Sequence, residues 1–177
     1  MGKRTNFKRR ERDFYPTPYE AVVPLLPFIN PSDTFAEPCA GDGVLVDHLK
    51  KNGIECRGMS DIDPRNPDVD AIDVFDLTAC SGDMFITNPP WEWKILSKLI
   101  PHLSSLAYTW LLLNADIMHN RRMSGHMRRC KKIVSVGRIS WMGNGKKGFE
   151  NCAWLLFVNE EVATEFEVAT EFYGRAA

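Results

Sequence analysis

The sequence predicts an α/β fold in which a parallel, doubly wound sheet is covered by helices on both faces. The main observation is that short apolar segments, each of the length of a buried strand, alternate with helical segments along the chain. A second observation limits the number of domains, because 177 residues with 44% hydrophobic content suffice for one well-buried core. We therefore expect a single domain over residues 13–177, preceded by a flexible basic arm over residues 1–12.

Seven segments are predicted to be strands because they are short and apolar. In chain order they are residues 34–37, 54–60, 69–72, 84–87, 105–113, 133–139 and 152–158. Between them, helices are predicted at 44–51, where Asn52-Gly53 supplies a stop signal, and from residue 92 or 93 to residue 103. The interval 117–131 is predicted to be a basic helix or loop. The tail contains two consecutive copies of the hexapeptide Glu-Val-Ala-Thr-Glu-Phe, at residues 161–166 and 167–172, and we assign this repeat no function.

The first helix is predicted to begin near Thr17. Thr17 and Glu20 have the spacing of a capping box, and Pro18 would occupy the first helical position, where its missing N–H costs nothing. Two later prolines, Pro24 and Pro27, must kink or shorten this helix.

The formal net charge of −1 conceals two basic segments. Residues 1–12 carry six basic side chains against one acid, and no acid occurs between Asp116 and Glu150. Most charge runs are solvated faces, but clustered cations without any acid are typical of a surface that contacts phosphates. The residues predicted to bind nucleic acid are Arg121, Arg122, Arg128, Arg129, Lys146, Lys147 and Phe149.

The cysteines and histidines do not indicate a metal or a disulfide framework. The five cysteines are scattered and contain no Cys-x-x-Cys pair, and the four histidines do not complete a set of four ligands. No apolar run approaches the roughly 20 residues that a membrane span needs. We therefore expect no metal, no membrane contact and a reducing cytoplasmic location.

The tetrad Asn88-Pro89-Pro90-Trp91 is the most informative motif in the chain. It lies between a predicted strand and a predicted helix, and neither proline can continue these elements because each lacks an N–H and fixes φ. The result is a rigid loop that presents an amide, backbone carbonyls and an aromatic ring together. This set suits a planar exocyclic amino group, whose hydrogens are accepted while the ring stacks on the heterocycle. The alternative is a strand-to-helix turn with a core tryptophan.

Other loops that follow predicted strands suit a nucleoside, since ligands of doubly wound sheets bind beyond the carboxyl ends of the strands. Gly41-Asp42-Gly43 lets the backbone approach a ligand, although it is not the dinucleotide-binding pattern. Glu37 is placed to accept from an ammonium group, and Asp61 to accept from ribose hydroxyls. Asp73 is placed to accept from an adenine amino group, beside the backbone N–H of Val74. An amino-acid end, a ribose and an adenine together describe S-adenosylmethionine.

These motifs resemble those of class I S-adenosylmethionine-dependent methyltransferases, within them the adenine-N6 amino-methyltransferases, and most of all small phage-type DNA adenine methylases. The matching motifs occur in the same order and are Tyr15-Pro16-Thr17-Pro18, Glu37-Pro38-Cys39-Ala40-Gly41-Asp42-Gly43, Asp61-Ile62-Asp63-Pro64, Asp73-Val74-Phe75 and Asn88-Pro89-Pro90-Trp91. With a looser match at residues 145–154, the resemblance covers most of residues 13–158. It implies a Rossmann-like, mostly parallel sheet of seven strands with an antiparallel last strand.

The resemblance also implies S-adenosylmethionine as the cofactor. The residues predicted to bind it are Tyr15, Pro16, Thr17, Glu37, Pro38, Cys39, Ala40, Gly41, Gly43, Asp61, Ile62, Asp73, Val74 and Asn88. The implied activity is N6-adenine methylation of DNA in a bacterial or phage-infected cell. Larger family members have a separate target-recognition domain; we expect none within this sequence, so the resemblance implies no recognition sequence.

The predicted mechanism follows from the chemistry of the amino group. The side-chain oxygen of Asn88 and the carbonyl of Pro89 would accept the two hydrogens on N6 and localise its lone pair, so that no dedicated base is needed. Trp91 would stack on the flipped base, with Phe149 or Trp141 as the opposite wall, although both of these also suit the core.

Three alternatives remain open from the sequence. RNA adenine or guanine could be the target, because it needs the same pocket and the same phosphate contacts. A glutamine side chain in a protein is disfavoured by the basic segments. The third alternative is a methyltransferase fold that has lost turnover and only binds nucleic acid.

Overall fold

An eight-stranded sheet forms the centre of the molecule in the computed structural model, which describes residues 14–142, 145–165 and 170–174. The strands are β1 (Thr34–Glu37), β2 (Glu55–Asp61), β3 (Asp70–Ala71), β4 (Met84–Thr87), β5 (Tyr108–Asn114), β6 (Cys130–Gly137), β7 (Cys152–Phe157) and β8 (Glu171–Tyr173). Their spatial order is β3-β2-β1-β4-β5-β7-β6-β8. The predicted basic arm, residues 1–12, lies outside the described residues.

The described residues form five α-helices, of which the first precedes β1 and the others lie between strands. They are α1 (Tyr19–Val22), α2 (Val44–Lys51), α3 (Trp93–Leu106), α4 (Ser124–Met127) and α5 (Glu160–Glu165). Short 3₁₀ turns occur at Leu26–Phe28, Val74–Asp76, Ala115–His119 and Arg121–Met123. The basic interval predicted as helix or loop therefore consists mostly of 3₁₀ turns followed by the single turn of α4.

The pairing of the strands confirms the predicted doubly wound, mostly parallel sheet. β1 pairs in parallel with β2 and β4, and β4 pairs in parallel with β5. β7 is antiparallel to both of its neighbours, β5 and β6, as the family resemblance implied for the seventh strand. Strand order reverses direction at β1, and this reversal is where doubly wound sheets bind their ligands.

The prediction of seven strands was wrong by one, because β8 pairs in parallel with the edge of β6. Glu171 forms an ion pair with Lys132 at 3.2 Å, and the Thr170 hydroxyl donates to the Cys130 carbonyl at 2.8 Å. The Tyr173 ring packs on Phe28 with the ring centroids 4.5 Å apart. All of these contacts are with residues distant in sequence. β8 itself has no apolar run from which a strand could be predicted.

The capping box predicted at the first helix was also wrong. The residue that precedes α1 is Pro18, and no side chain caps this helix end. The Thr17 hydroxyl instead accepts a hydrogen bond from the Asn88 amide, and the Glu20 carboxylate accepts one from the backbone N–H of Ser140. Both side chains are therefore used for tertiary contacts, which local spacing cannot reveal.

Two apolar layers cover the two faces of the sheet, which explains the continuous apolar character of the central strands. Along β5, Trp110 and Leu112 belong to the layer beneath α1 and α2, whereas Leu111 and Leu113 belong to the layer beneath α3. α3 runs three residues beyond its predicted end, to Leu106, and β5 accordingly begins three residues later than predicted, at Tyr108.

The five cysteines are all free thiols. Burial raises the pKa of Cys130 and of Cys152 to about 12 each, so both are protonated at neutral pH. No group of three potential ligands among His, Cys, Asp and Glu occurs in the described parts of the chain. Within the same parts, every helix is too short or too polar to cross a membrane.

The indole of Trp154 fastens α1 to the sheet, and its loss should destabilise the protein. Its Nε1–H donates to the buried carbonyl of Ala21 at 2.7 Å. Trp154→Phe should lower the free energy of unfolding by about 1–3 kcal/mol more than Trp110→Phe, because only the former leaves a buried carbonyl unpaired. Trp110 is a matched control, since it is 2% exposed and its indole makes no hydrogen bond to a described residue. Urea unfolding measures the loss of stability in both variants. Equal losses would show that the hydrogen bond from Trp154 to Ala21 does not stabilise the fold.

Candidate active site

A cavity of about 770 Å³ opens at the carboxyl ends of β1, β2 and β4. Three parallel neighbours end side by side at this edge, and the loops that follow them form the walls. Of the fourteen residues predicted to bind a cofactor, thirteen line this cavity, and the exception is Gly43. Their individual roles in binding stay predictions. The cavity also contains residues that the sequence did not single out, including Phe14, Arg65 and Glu92, and it includes Phe75 of the Asp73-Val74-Phe75 motif.

The glycines after β1 are required by backbone conformation and by space. Gly41 and Gly43 have φ values of +55° and +83°, which L side chains rarely adopt. A Cβ atom on Gly41 would also lie 2.7 Å from the Phe14 ring. Gly43 does not line the cavity; it is the residue that precedes α2, and it has the positive φ there.

Asp61 joins the loop after β1 to the loop after β2. Its Oδ2 accepts from the backbone N–H of Gly41 at 2.9 Å, and its Oδ1 accepts from that of Asp63 at 2.8 Å. A carboxylate offers about four acceptor positions, so each oxygen keeps capacity for one more hydrogen bond. Asp61 therefore has a structural role beside the one predicted for it.

Glu37 is a buried carboxyl group without a full set of partners. It is 2% exposed, and its Oε2 has no hydrogen-bond partner. Burial, and then the nearby carboxylates of Asp42 and Asp61, raise the pKa of Glu37 well above its usual range, while a backbone hydrogen bond from Val46 partly offsets this. A buried polar atom without a partner is costly, and here it borders a cavity.

Asp73 and Val74 form the far wall of the cavity. The Asp73 carboxylate accepts from the backbone N–H of Phe75 at 3.0 Å and so caps the 3₁₀ turn that follows β3. Val74 is buried, whereas Phe75 is 39% exposed and packs against the His102 ring. One carboxylate oxygen thus fixes the turn, while the side chain still lines the cavity.

Asn88 lies at the edge of the same cavity, with its side-chain orientation fixed by two acceptors. Its Nδ2 donates to the Thr17 hydroxyl at 3.2 Å and makes a longer contact with the Tyr15 carbonyl at 3.5 Å. Among the described residues no donor is bonded to its Oδ1. Because both N–H groups are used internally, the amide presents an acceptor to any ligand in the cavity.

The remaining residues of the tetrad support this loop. Pro89 is buried and Pro90 lines the cavity. The Trp91 indole donates to the Leu112 carbonyl at 2.9 Å, which ties the loop to β5. Its ring meets that of Trp141 edge-on, with centroids 5.6 Å apart, and Trp141 in turn meets Tyr15 at 6.1 Å. Trp91 is half-buried and does not line the cavity, and its predicted stacking role stays a prediction.

Comparisons with known proteins identify the fold. The protein PH1948 of Pyrococcus horikoshii, assigned as an RNA methyltransferase, superposes with a TM-score of 0.61 at 16% identity over 89% of this chain and 93% of its own. A dimethyladenosine transferase from Plasmodium falciparum gives 0.56 at 16% identity over 86% of this chain. A Listeria monocytogenes protein, assigned as a class I S-adenosylmethionine-dependent methyltransferase, gives 0.55 at 9% identity over 92% of this chain. The chain has a Rossmann-like methyltransferase fold.

The relatives differ from this chain in length and in sequence. The chain spans 65% of the Plasmodium enzyme and 66% of the Listeria protein. No protein-family model matches the chain. No curated protein sequence matches it either. At 9–16% identity, these three structures share with this chain only the fold.

The basic residues predicted to bind nucleic acid between positions 121 and 129 differ in exposure. Arg121, Arg122 and Arg128 are exposed, and the Arg122 guanidinium lies 4.6 Å above the Trp93 ring. Arg129 differs, because its side chain is only 11% exposed and pairs with Glu160 and with the Ser104 hydroxyl. A largely covered, paired guanidinium is less accessible to a phosphate than the exposed arginines, and the predicted contact of Arg129 with nucleic acid stays a prediction.

The loop between β6 and β7 carries the other predicted contacts. We call its described residues, 138–142 and 145–151, the basic loop. Lys146 and Lys147 are exposed there, and Phe149 is 76% exposed. The N–H of Gly148 donates to the Ile139 carbonyl at 2.8 Å and closes the loop on itself. Phe149 is therefore not a core residue, whereas Trp141 is packed between Tyr15 and Trp91.

The pH dependence of stability should reveal Glu37. Its raised pKa means that burial favours the protonated form, so its contribution to stability is complete below the ordinary glutamate pKa of about 4.3 and is lost as pH rises through the raised value. Glu37→Gln keeps the shape without the charge and should reduce this loss in the ligand-free protein. Thermal unfolding across pH measures it, with Glu55→Gln, exposed at the start of β2, as control. Parallel curves for wild type and Glu37→Gln would refute the assignment.

Proposed function

We propose that the protein is an S-adenosylmethionine-dependent methyltransferase that modifies N6 of adenine in nucleic acid, with DNA as the first candidate. The observation that carries the proposal is the orientation of Asn88. Its amide gives both N–H groups to Tyr15 and Thr17 and leaves Oδ1 as an acceptor at the edge of the large cavity. An exocyclic amino group is the complementary donor.

The chemistry of the cavity fits the proposed cofactor. The unpaired oxygen of buried Glu37 suits an ammonium group, which would satisfy it and restore the charged form. Asp61 retains acceptor capacity for ribose hydroxyls, and Asp73 can accept from an adenine amino group. The volume of about 770 Å³ falls in the range typical of small-molecule sites, about 300–1,000 Å³.

The proposed mechanism rests on positioning and hydrogen-bond acceptance. S-adenosylmethionine, when bound, supplies an electrophilic methyl group. The amino nitrogen of adenine is a poor nucleophile because its lone pair is delocalised into the ring. Asn88 Oδ1 and the Pro89 carbonyl would accept its two hydrogens and favour a pyramidal nitrogen with a localised lone pair. The proton would leave to water, so the proposal assigns no side chain as a base.

RNA is the second candidate substrate. The order of motifs that resembles DNA adenine methylases favours DNA, whereas two of the structurally similar proteins are named for RNA or adenosine substrates. Both polymers present the same amino group and the same phosphates. The exposed Arg121, Arg122, Arg128, Lys146 and Lys147 would contact the phosphates of either. We place the activity in the cytoplasm, where the five free thiols would stay reduced.

The direct test measures transfer of a tritiated methyl group from S-adenosylmethionine to DNA, RNA and protein in parallel. The proposal expects label on N6 of adenine in DNA, identified by nucleoside analysis. Label on RNA alone would select the second candidate. A protein that binds S-adenosylmethionine in calorimetry and transfers nothing to any polymer would refute an enzymatic function.

Asn88 should be needed for transfer and dispensable for folding. Asn88→Ala should reduce the methylation rate by about 10²–10³, because one preorganised polar contact to the reacting group is lost. Asn88→Asp should retain part of the rate, since a carboxylate still accepts, although it can no longer donate to the Tyr15 carbonyl. Thr17→Val is a matched probe that keeps Asn88 but removes the hydroxyl that orients it, and it should cost less than Asn88→Ala. A folded Asn88→Ala protein with the wild-type rate would refute the mechanism.

The salt dependence of nucleic-acid binding should depend on the exposed arginines. Replacing Arg121, Arg122 and Arg128 with Gln should weaken binding to all sequences alike and flatten the log–log salt plot by roughly 2–3 units for a duplex. The control replaces Lys50, Lys51 and Arg57 with Gln, on exposed positions away from the cavity. Arg129→Gln should lower thermal stability and change the salt slope less than replacement of an exposed arginine does. An unaltered slope in the first triple variant would assign the phosphate contacts to another surface.

A further inference from the structure

Residues 14–22, which we call the strap, contact the cavity, the tetrad and the basic loop in succession. At the first end Phe14, Tyr15, Pro16 and Thr17 line the cavity. The Arg65 guanidinium lies 3.8 Å above the Phe14 ring and holds it against the loop of Gly41. This end of the strap is therefore part of the proposed cofactor site.

The middle of the strap orients the tetrad. The Asn88 amide donates to the Thr17 hydroxyl at 3.2 Å, and Thr17 is only 4% exposed. The Tyr15 ring meets the Trp141 ring at 6.1 Å, and Trp141 meets Trp91 at 5.6 Å. A movement of the strap would therefore displace the Asn88 side chain and the Tyr15 ring that contacts Trp141 of the basic loop.

The far end of the strap reaches the basic loop through one carboxylate. Glu20 accepts a hydrogen bond from the backbone N–H of Ser140, a residue 120 positions later in the chain. Ser140 is 9% exposed and adjoins Trp141, so this bond lies at the start of the basic loop. The Ala21 carbonyl accepts from Trp154 at 2.7 Å and fixes the strap to β7 beside this point. Glu20 brings an acidic group to a part of the chain, residues 117–149, whose sequence contains none.

We propose that Glu20 is a positioning residue through which occupancy of the cavity and binding of nucleic acid are coupled. This inference rests on the proposed function of the cavity and of the basic loop. A ligand in the cavity contacts the first end of the strap, and Glu20 at its far end holds the basic loop in the conformation that meets the polymer. Ordering of the strap by one ligand lowers the cost of ordering for the other, so each ligand raises the affinity of its partner by the same factor.

The test is a binding cycle on the full chain. The probes are S-adenosylhomocysteine, which fills the cavity without turnover, and a short fluorescein-labelled duplex that contains adenine, or the matching RNA if transfer goes to RNA. In the wild type, saturating S-adenosylhomocysteine should tighten polymer binding by about 5- to 100-fold. In Glu20→Ala this factor should fall towards one, while the Kd for S-adenosylhomocysteine measured without polymer changes less than about twofold.

A conservative variant and a control separate positioning from general destabilisation. Glu20→Gln keeps an acceptor for the Ser140 N–H and should retain an intermediate coupling factor. Glu55→Ala, an exposed glutamate at the start of β2, should keep the wild-type factor. KM for the polymer should rise in Glu20→Ala while kcat changes little, a separation that loss of folded protein does not produce.

Two outcomes would overturn the inference. An unchanged coupling factor in Glu20→Ala, with methyl transfer intact in the wild type, would refute the role of Glu20 and leave the proposed function standing. A wild type that binds neither S-adenosylhomocysteine nor polymer would refute the proposed function and the inference together.

Discussion

The parallel pairing of β1 with β2 on one side and β4 on the other is the constraint on which the site depends. It brings the carboxyl ends of three strands to one edge, so that Glu37, Asp61 and Asn88 share a cavity although they lie far apart in sequence. The same pairing buries both faces of the sheet, so the strands are apolar and the polar chemistry is confined to the loops. A methyltransferase fold therefore concentrates polar groups at one edge as a result of how its core is built.

Several polar side chains at this edge serve the fold and the site at once. Asp61 joins two loops and keeps acceptor capacity, and Asp73 caps a turn while it lines the cavity. Asn88 gives its donors to the strap and keeps its acceptor for a ligand. Each group is oriented by bonds that the protein makes to itself, which is how a binding site is preorganised. Substitution of such a residue affects both its structural role and its proposed role towards a ligand. Conservative variants are therefore informative, because they change one of these roles at a time.

The sequence was sufficient where local pattern and tertiary structure agree. β1, β4 and α2 occupy their predicted residues. Apolar runs indicate the buried strands, and Asn52-Gly53 marks the end of the helix. It was insufficient where a side chain forms a hydrogen bond with a residue distant in sequence, as Thr17 and Glu20 do. The repeated hexapeptide shows the limit most clearly. Its first copy lies largely in α5 and the end of its second copy lies in β8, so the edge of β6, and not the local sequence, decides the conformation.

Under the proposed function, the buried carboxyl of Glu37 favours a ligand that brings a cationic group into the cavity. Burial and two neighbouring carboxylates keep its proton bound to higher pH than on an exposed glutamate. A cationic group that pairs with Glu37 takes the place of that proton, so binding exchanges one positive charge for another. The net charge of the site is then the same before and after the exchange, and the displaced proton is released to solvent. An anionic ligand of the same shape would instead meet the carboxylates of Asp42 and Asp61 with no cation to offset their charge.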